Sequence, residues 1–97
     1  KEFNCIVLLK GPVDIVSDGS KTVEIEGGNA GMTKGGTGDV LAGLVTALYS
    51  KNESFLSAVA GSFINKKAGD SLFKKVGYYF NASDLANEIP LVMESLI

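Results

Sequence analysis

Histidine and arginine are both missing from the 97 residues, and each absence removes a class of chemistry. Without histidine, no Ser-His-Asp triad or His-based proton relay can be built from this chain, so a general base in it must be a carboxylate or a lysine. The nine basic side chains are all lysine, against eleven Asp and Glu, for a net charge of −2. Lysines pair only at Lys66-Lys67 and Lys74-Lys75, which predicts no nucleic-acid partner. The mild acidity gives no general attraction to an anionic membrane. A phosphate would have to be held by local backbone donors and single lysines rather than by a broad positive field. The one cysteine, Cys5, cannot form an internal disulfide and has no histidine with which to bind zinc, so it is expected to be a small buried core residue. No metal-ligating cluster is visible. No apolar stretch approaches the ~18–20 residues of a membrane span, and no signal peptide is expected to open the chain. A soluble, cytoplasmic protein is predicted.

What is present is enough for a core: 45% of the residues are hydrophobic and 21% charged. Residues 3–9 (FNCIVLL) form a short, nearly continuous apolar run of strand formers, expected to be a strand buried on both faces as in a parallel sheet. Lys10-Gly11-Pro12 stops it. Residues 13–17 and 22–26 alternate on either side of Asp18-Gly19, which predicts a hairpin with one exposed face. Residues 27–38 hold six glycines in twelve positions, a loop with an unusual demand for backbone freedom. From Asp39 the period becomes helical. Val40, Leu41, Leu44, Val45, Leu48 and Tyr49 share one face; Ala42, Gly43 and Ala47 form another, suited to close packing.

Asn52-Glu53-Ser54 opens a second helix predicted over residues 55–75, with a bend allowed at Gly61 or Gly69 and an end at Gly77. Residues 81–84 cap a short helix, and Pro90 is expected in the first turn of a final one. Met32 and the aromatics Phe55, Phe63, Phe73, Tyr78, Tyr79 and Phe80 read as core or rim. One strand and a hairpin cannot cover two or three helices, so residues 1–97 are expected to be part of a larger α/β domain or to be completed by a partner chain.

The chemistry is concentrated in Gly35-Gly36-Thr37-Gly38-Asp39. A glycine-rich loop that runs into a helix N-terminus leaves amides unpaired where the macrodipole is positive, a device for binding anions. The glycines let the backbone approach a phosphate, and Thr37 adds a hydroxyl. Such a loop can stabilise a transferring phosphoryl group. It is not a Walker P-loop. Asp39 reads either as a base that accepts a proton from an attacking hydroxyl, or as a helix-capping carboxylate. Lys10 reads equally as a phosphate contact or a solvated strand end, and Asp70 as a surface carboxylate.

Residues 29–43 (NAGMTKGGTGDVLAG) resemble the signature of the ADP/ATP-dependent NAD(P)H-hydrate dehydratases, a branch of the ribokinase-like superfamily. Residues 7–19 are similar to that family's strand, Lys-Gly turn and hairpin, and residues 58–70 and 81–90 to its closing helices. The resemblance covers nearly the whole chain. It implies an α/β fold: the C-terminal part of a ribokinase-like three-layer α/β/α domain, with residues 1–97 a fragment of that domain and inactive alone. It further implies repair of NADHX and NADPHX, in which ADP or ATP, with Mg²⁺, phosphorylates the C6 hydroxyl and phosphate is then eliminated. Asp39 would be the base and contact the substrate. Gly36, Thr37 and Gly38 would form the anion hole. Lys10, Gly11, Pro12, Val13, Asp14, Asn29, Gly31 and Gly38 would bind the nucleotide. A homo-oligomer is expected. The alternatives are a related kinase of a vitamin or sugar hydroxyl and a fragment with a structural role only. Two positions depart from the family pattern. Lys34 replaces a small or apolar residue and reads as a solvated lysine or an extra cation near phosphate. Lys66 replaces a glycine, which suggests a surface that tolerates bulk and gives it no role.

Overall fold

The computed structural model describes residues 5–96, so Phe3 and Asn4 of the predicted first strand lie outside the described residues. Three short strands, β1 (Val7–Leu9), β2 (Asp14–Ser17) and β3 (Thr22–Ile25), form an antiparallel sheet in the order β1-β2-β3. Pairing runs Leu9 with Ile15 and Val7 with Ser17, then Asp14 with Ile25 and Ser17 with Thr22. The hairpin turn is fixed by Asp18, whose carboxylate accepts the amides of Ser20 and Lys21, both at 2.8 Å, while Gly19 takes a positive φ of 95°. Three helices follow: α1 (Thr37–Tyr49), α2 (Ser54–Val76) and α3 (Ala82–Leu96).

Strand alternation decides which face is covered. Val16 and Ile25 point to the same side and pack with Phe55 and Ala58 of α2, flanked by Ile6, Leu8 and Val23. The opposite face carries no helix among the described residues. This corrects the expectation for the first strand: β1 pairs antiparallel with β2, and Val7 and Leu9 are exposed. Cys5, expected in the core, is exposed as well. Both misplacements have one cause, since a run that is apolar on both faces is buried only where something covers both.

The larger core lies among the helices. Met32, Ile64, Ala68, Leu72, Phe80, Leu85, Ile89 and Val92 are buried together, with Val40, Leu44 and Leu48 of α1 against them. Tyr49, expected on the buried face of α1, is exposed. Ala42, Gly43 and Ala47 are exposed too, and a Cβ at Gly43 would have nothing within 4 Å.

Helix α2 is continuous. A Cβ on Gly61 would come to 2.6 Å from Val45 Cγ2, and one on Gly69 to 2.2 Å from Met32 Sδ, so these glycines serve close packing rather than a bend. Glu53 caps it, accepting the amides of Leu56 at 2.7 Å and Phe55 at 3.2 Å. Gly77 ends it with a φ of 64°. The two short helices predicted at the end are one. Asn81 and Asp84 cap α3 reciprocally, and Pro90 sits inside it. Pro90 removes one backbone bond, yet Leu85 and Glu88, Ile89 and Val92 continue one buried face across it, and that packing outweighs the break. Among the aromatics, Phe80 and Phe55 are buried, whereas Tyr79 is 91% exposed and packs on nothing comparable.

Candidate active site

Two features meet around the segment Ala30–Thr33, a single 3-10 turn. One is a cleft of about 550 Å³ lined by Lys10, Gly11 and Pro12 on one side and by Gly27, Gly28, Asn29, Ala30, Met32 and Thr33 on the other, with Lys66 beneath. The other is the glycine-rich entry into α1.

The 3-10 turn is held at both ends. Asn29 Oδ1 accepts the Gly31 amide at 3.0 Å, and its Nδ2 donates to the Gly69 carbonyl of α2 at 2.9 Å. Gly31 is packed under Phe80, where a Cβ would come to 2.7 Å from the ring, so Gly31 supports the turn from inside and does not line the cleft. Lys34 is exposed, as a surface lysine would be, but its ammonium is engaged. Its ammonium donates to the carbonyls of Tyr78 and Phe80 and lies 4.8 Å from the centre of the Phe80 ring. The loop is thereby fastened to the connection between α2 and α3.

Gly36 turns the chain into α1 with a positive φ of 88°. Thr37, expected to offer its hydroxyl to an anion, is 2% exposed and directs that hydroxyl inward, to the carbonyls of Met32 at 2.6 Å and Lys34 at 2.7 Å. Its amide donates to the Lys34 carbonyl at 3.3 Å. Helix geometry leaves the amides of Gly38 and Asp39 without intrahelical acceptors, and Asp39 is exposed beside them. A Cβ on Gly35 or Gly38 would have nothing within 4 Å, and neither residue has a positive φ. Internal packing and backbone conformation therefore give no reason for glycine at these two positions.

The nucleotide candidates divide. Lys10, Gly11, Pro12 and Asn29 share the cleft; Val13, Asp14, Gly31 and Gly38 do not line it. Asp14 in particular is turned inward. At 2% exposure it accepts the Gly11 amide at 3.0 Å and the Ser62 hydroxyl at 2.7 Å, and it faces the Lys66 ammonium at 3.5 Å. It shapes the turn that carries Lys10 to Pro12.

Lys66 is the residue the sequence reading dismissed. It is 6% exposed, and its ammonium donates to the carbonyls of Gly11 at 3.1 Å, Pro12 at 3.3 Å and Gly27 at 3.1 Å. A signal was available: Ala58, Ser62, Lys66 and Gly69 recur at helical spacing from Phe55, along the face that α2 buries. Among the described residues, no group of three or more acidic, cysteine or histidine side chains could hold a metal ion, and no helix is long and apolar enough to cross a membrane.

A glycine-rich helix start with a carboxylate beside it is an arrangement that phosphoryl-transfer proteins can use. Residues 1–91 match the NAD(P)H-hydrate dehydratase family, and the chain belongs to it. It is 52% identical over 88 residues, 91% of its length, to the bifunctional NAD(P)H-hydrate repair enzyme Nnr of Methanocaldococcus jannaschii. It is 52% identical over 95 residues to the ADP-dependent (S)-NAD(P)H-hydrate dehydratase of Nitrosopumilus maritimus, and 49% identical over 85 residues to the Nnr enzyme of Archaeoglobus fulgidus. The chain spans 18% of the length of the first and third of these relatives and 33% of the second.

Proposed function

We propose that this chain forms the phosphoryl-transfer part of an enzyme that returns NADHX and NADPHX to NADH and NADPH at the expense of ADP or ATP. The observation that carries this is the open space at Gly35 and Gly38, at a helix start with free amides and an exposed Asp39. Asp39 takes the proton from the C6 hydroxyl as its oxygen attacks the terminal phosphoryl group. The amides of Gly36 and Gly38 carry the charge that develops on the phosphoryl oxygens. Thr37 acts indirectly, holding the loop in shape through its two inward contacts. Loss of phosphate from C6 and of a proton from the adjacent ring carbon then restores the ring double bond.

The nucleotide lies in the cleft against Lys10, Gly11, Pro12 and Asn29, with Asp14 and Gly31 supporting its walls; Val13 and Gly38 complete the proposed nucleotide-binding set from outside that lining. Mg²⁺ would accompany the nucleotide and neutralise phosphate charge. Residues 1–97 are the C-terminal part of one ribokinase-like domain, and the edge of β1, unpaired among the described residues, supports this reading. For the whole protein we propose a cytoplasmic homo-oligomer.

The test is repair by the full-length protein. With NADHX and ADP or ATP, the 340 nm absorbance of NADH is expected to return. Asp39→Asn is expected to lower kcat about 10²–10⁴-fold while nucleotide binding persists. Phosphorylation of a vitamin or sugar hydroxyl without repair of the hydrate would overturn the proposal in favour of a related kinase.

A further inference from the structure

The cleft has two walls, and they come from different parts of the sheet. One is the turn between β1 and β2, carrying Lys10, Gly11 and Pro12; the other follows β3 and carries Gly27 to Thr33. The pairing of Asp14 with Ile25 joins the two loops at their base, but no strand pairing involves Lys10 to Pro12 or Gly27 to Thr33 themselves. Beyond that pair, their spacing is set from elsewhere.

Helix α2 sets it. An ammonium has three N–H donors, and the three carbonyls within reach of Lys66 Nζ are Gly11 and Pro12 on one wall and Gly27 on the other. The charge is balanced by Asp14 at 3.5 Å, itself buried and fixed by Ser62, one turn before Lys66 on the same helix. Three residues beyond Lys66, the Gly69 carbonyl anchors Asn29. The side chain has no donor left for a ligand, and its charge is compensated within the protein. Lys66 is therefore poorly suited to grip a phosphate and well suited to hold both walls.

We infer that Lys66 is a positioning residue for the nucleotide: a tethered cation that fixes the width of the cleft by binding both walls at once, leaving Lys10 as the cation offered to the ligand. The inference rests on the nucleotide reading of the cleft given above. It predicts that losing the ammonium loosens the walls and weakens nucleotide binding, and that chemistry on bound nucleotide continues.

The experiment compares the full-length protein with Lys66→Met and Lys66→Ala, using ADP as the probe. Calorimetric Kd for ADP is expected to rise about tenfold or more, with kcat at saturating nucleotide changed by no more than about threefold. Amide hydrogen exchange is expected to quicken in residues 10–14 and 26–30, with the end of α3 unaffected. In Lys66→Ala, n-propylammonium replaces the missing atoms and is expected to restore ADP binding, which a general loss of packing would not allow. Unchanged ADP affinity and unchanged exchange in Lys66→Met would overturn the inference, as would a failure of n-propylammonium to improve binding by folded Lys66→Ala. If the unmodified protein binds no ADP, the nucleotide reading falls and the positioning role falls with it. The exchange comparison still reads the tether between the walls in that case.

Discussion

At Gly69 there is no room for a methyl group. A Cβ there would lie 2.2 Å from Met32 Sδ and 2.8 Å from its Cγ, and Met32 is buried on the turn that Asn29 anchors to the same residue's carbonyl. Gly69→Ala is expected to cost about 1–3 kcal/mol, as overpacking does, and to displace the 3-10 turn. Urea denaturation gives the first, and weaker ADP binding by the folded full-length variant would report the second. The motif Gly35 to Asp39 was legible in the sequence because its chemistry is local: glycines for approach, a helix start for donors, one carboxylate beside them. Lys66, Lys34 and Thr37 were not legible. Their partners lie 55, 44 and 5 residues away in the chain, and composition at one position cannot say which carbonyl a side chain will meet. Lys66 in particular reads as surface until α2 is folded over the sheet.

The helices were legible in extent, and what remained hidden was how each is joined or interrupted. Capping residues and a terminal glycine marked α2 within one residue of its ends, whereas Pro90 suggested a boundary that packing overrides. The pairing of α2 with α3 has an electrostatic element. Glu88, buried on α3, accepts from Lys75 at 2.8 Å and from Ser71, and these bonds to its charged form hold its carboxyl below the usual range despite burial. A carboxyl lowered in the folded state contributes stability above the unfolded value of about 4.3, and that contribution is lost as pH falls through the lower folded value. Stability measured by urea denaturation between pH 6 and 3 is therefore expected to decline on acidification, with a shallower decline in Glu88→Gln. An identical slope in both proteins would remove Glu88 from the account.

On the scale of the whole molecule, among the described residues one face of the sheet carries no helix and the β1 edge is unpaired, with Val7 and Leu9 exposed. The α/β class and the hairpin were readable from hydrophobic period. The surroundings of β1 were not, because period tells how many faces an element buries and not what buries them. An unpaired apolar edge templates pairing with another chain. Residues 1–97 expressed alone are expected to self-associate in sedimentation experiments, and Leu9→Lys to reduce that association. A monodisperse monomer at tens of micromolar would show that the edge is protected by other means.

The hold of Lys34 on the carbonyls of Tyr78 and Phe80 also has a consequence for the order of assembly. The glycine-rich loop takes its shape from chain more than forty residues ahead of it, across the whole of α2. Contacts of that separation close late, after the intervening helix has formed and turned back. During synthesis the loop leaves the ribosome long before its anchor does, so the contacts of Lys34 with Tyr78 and Phe80 cannot form until Phe80 has emerged. The loop is thus fastened only after the whole of α2 has been made, although every residue proposed for its chemistry lies in the first half of the sequence.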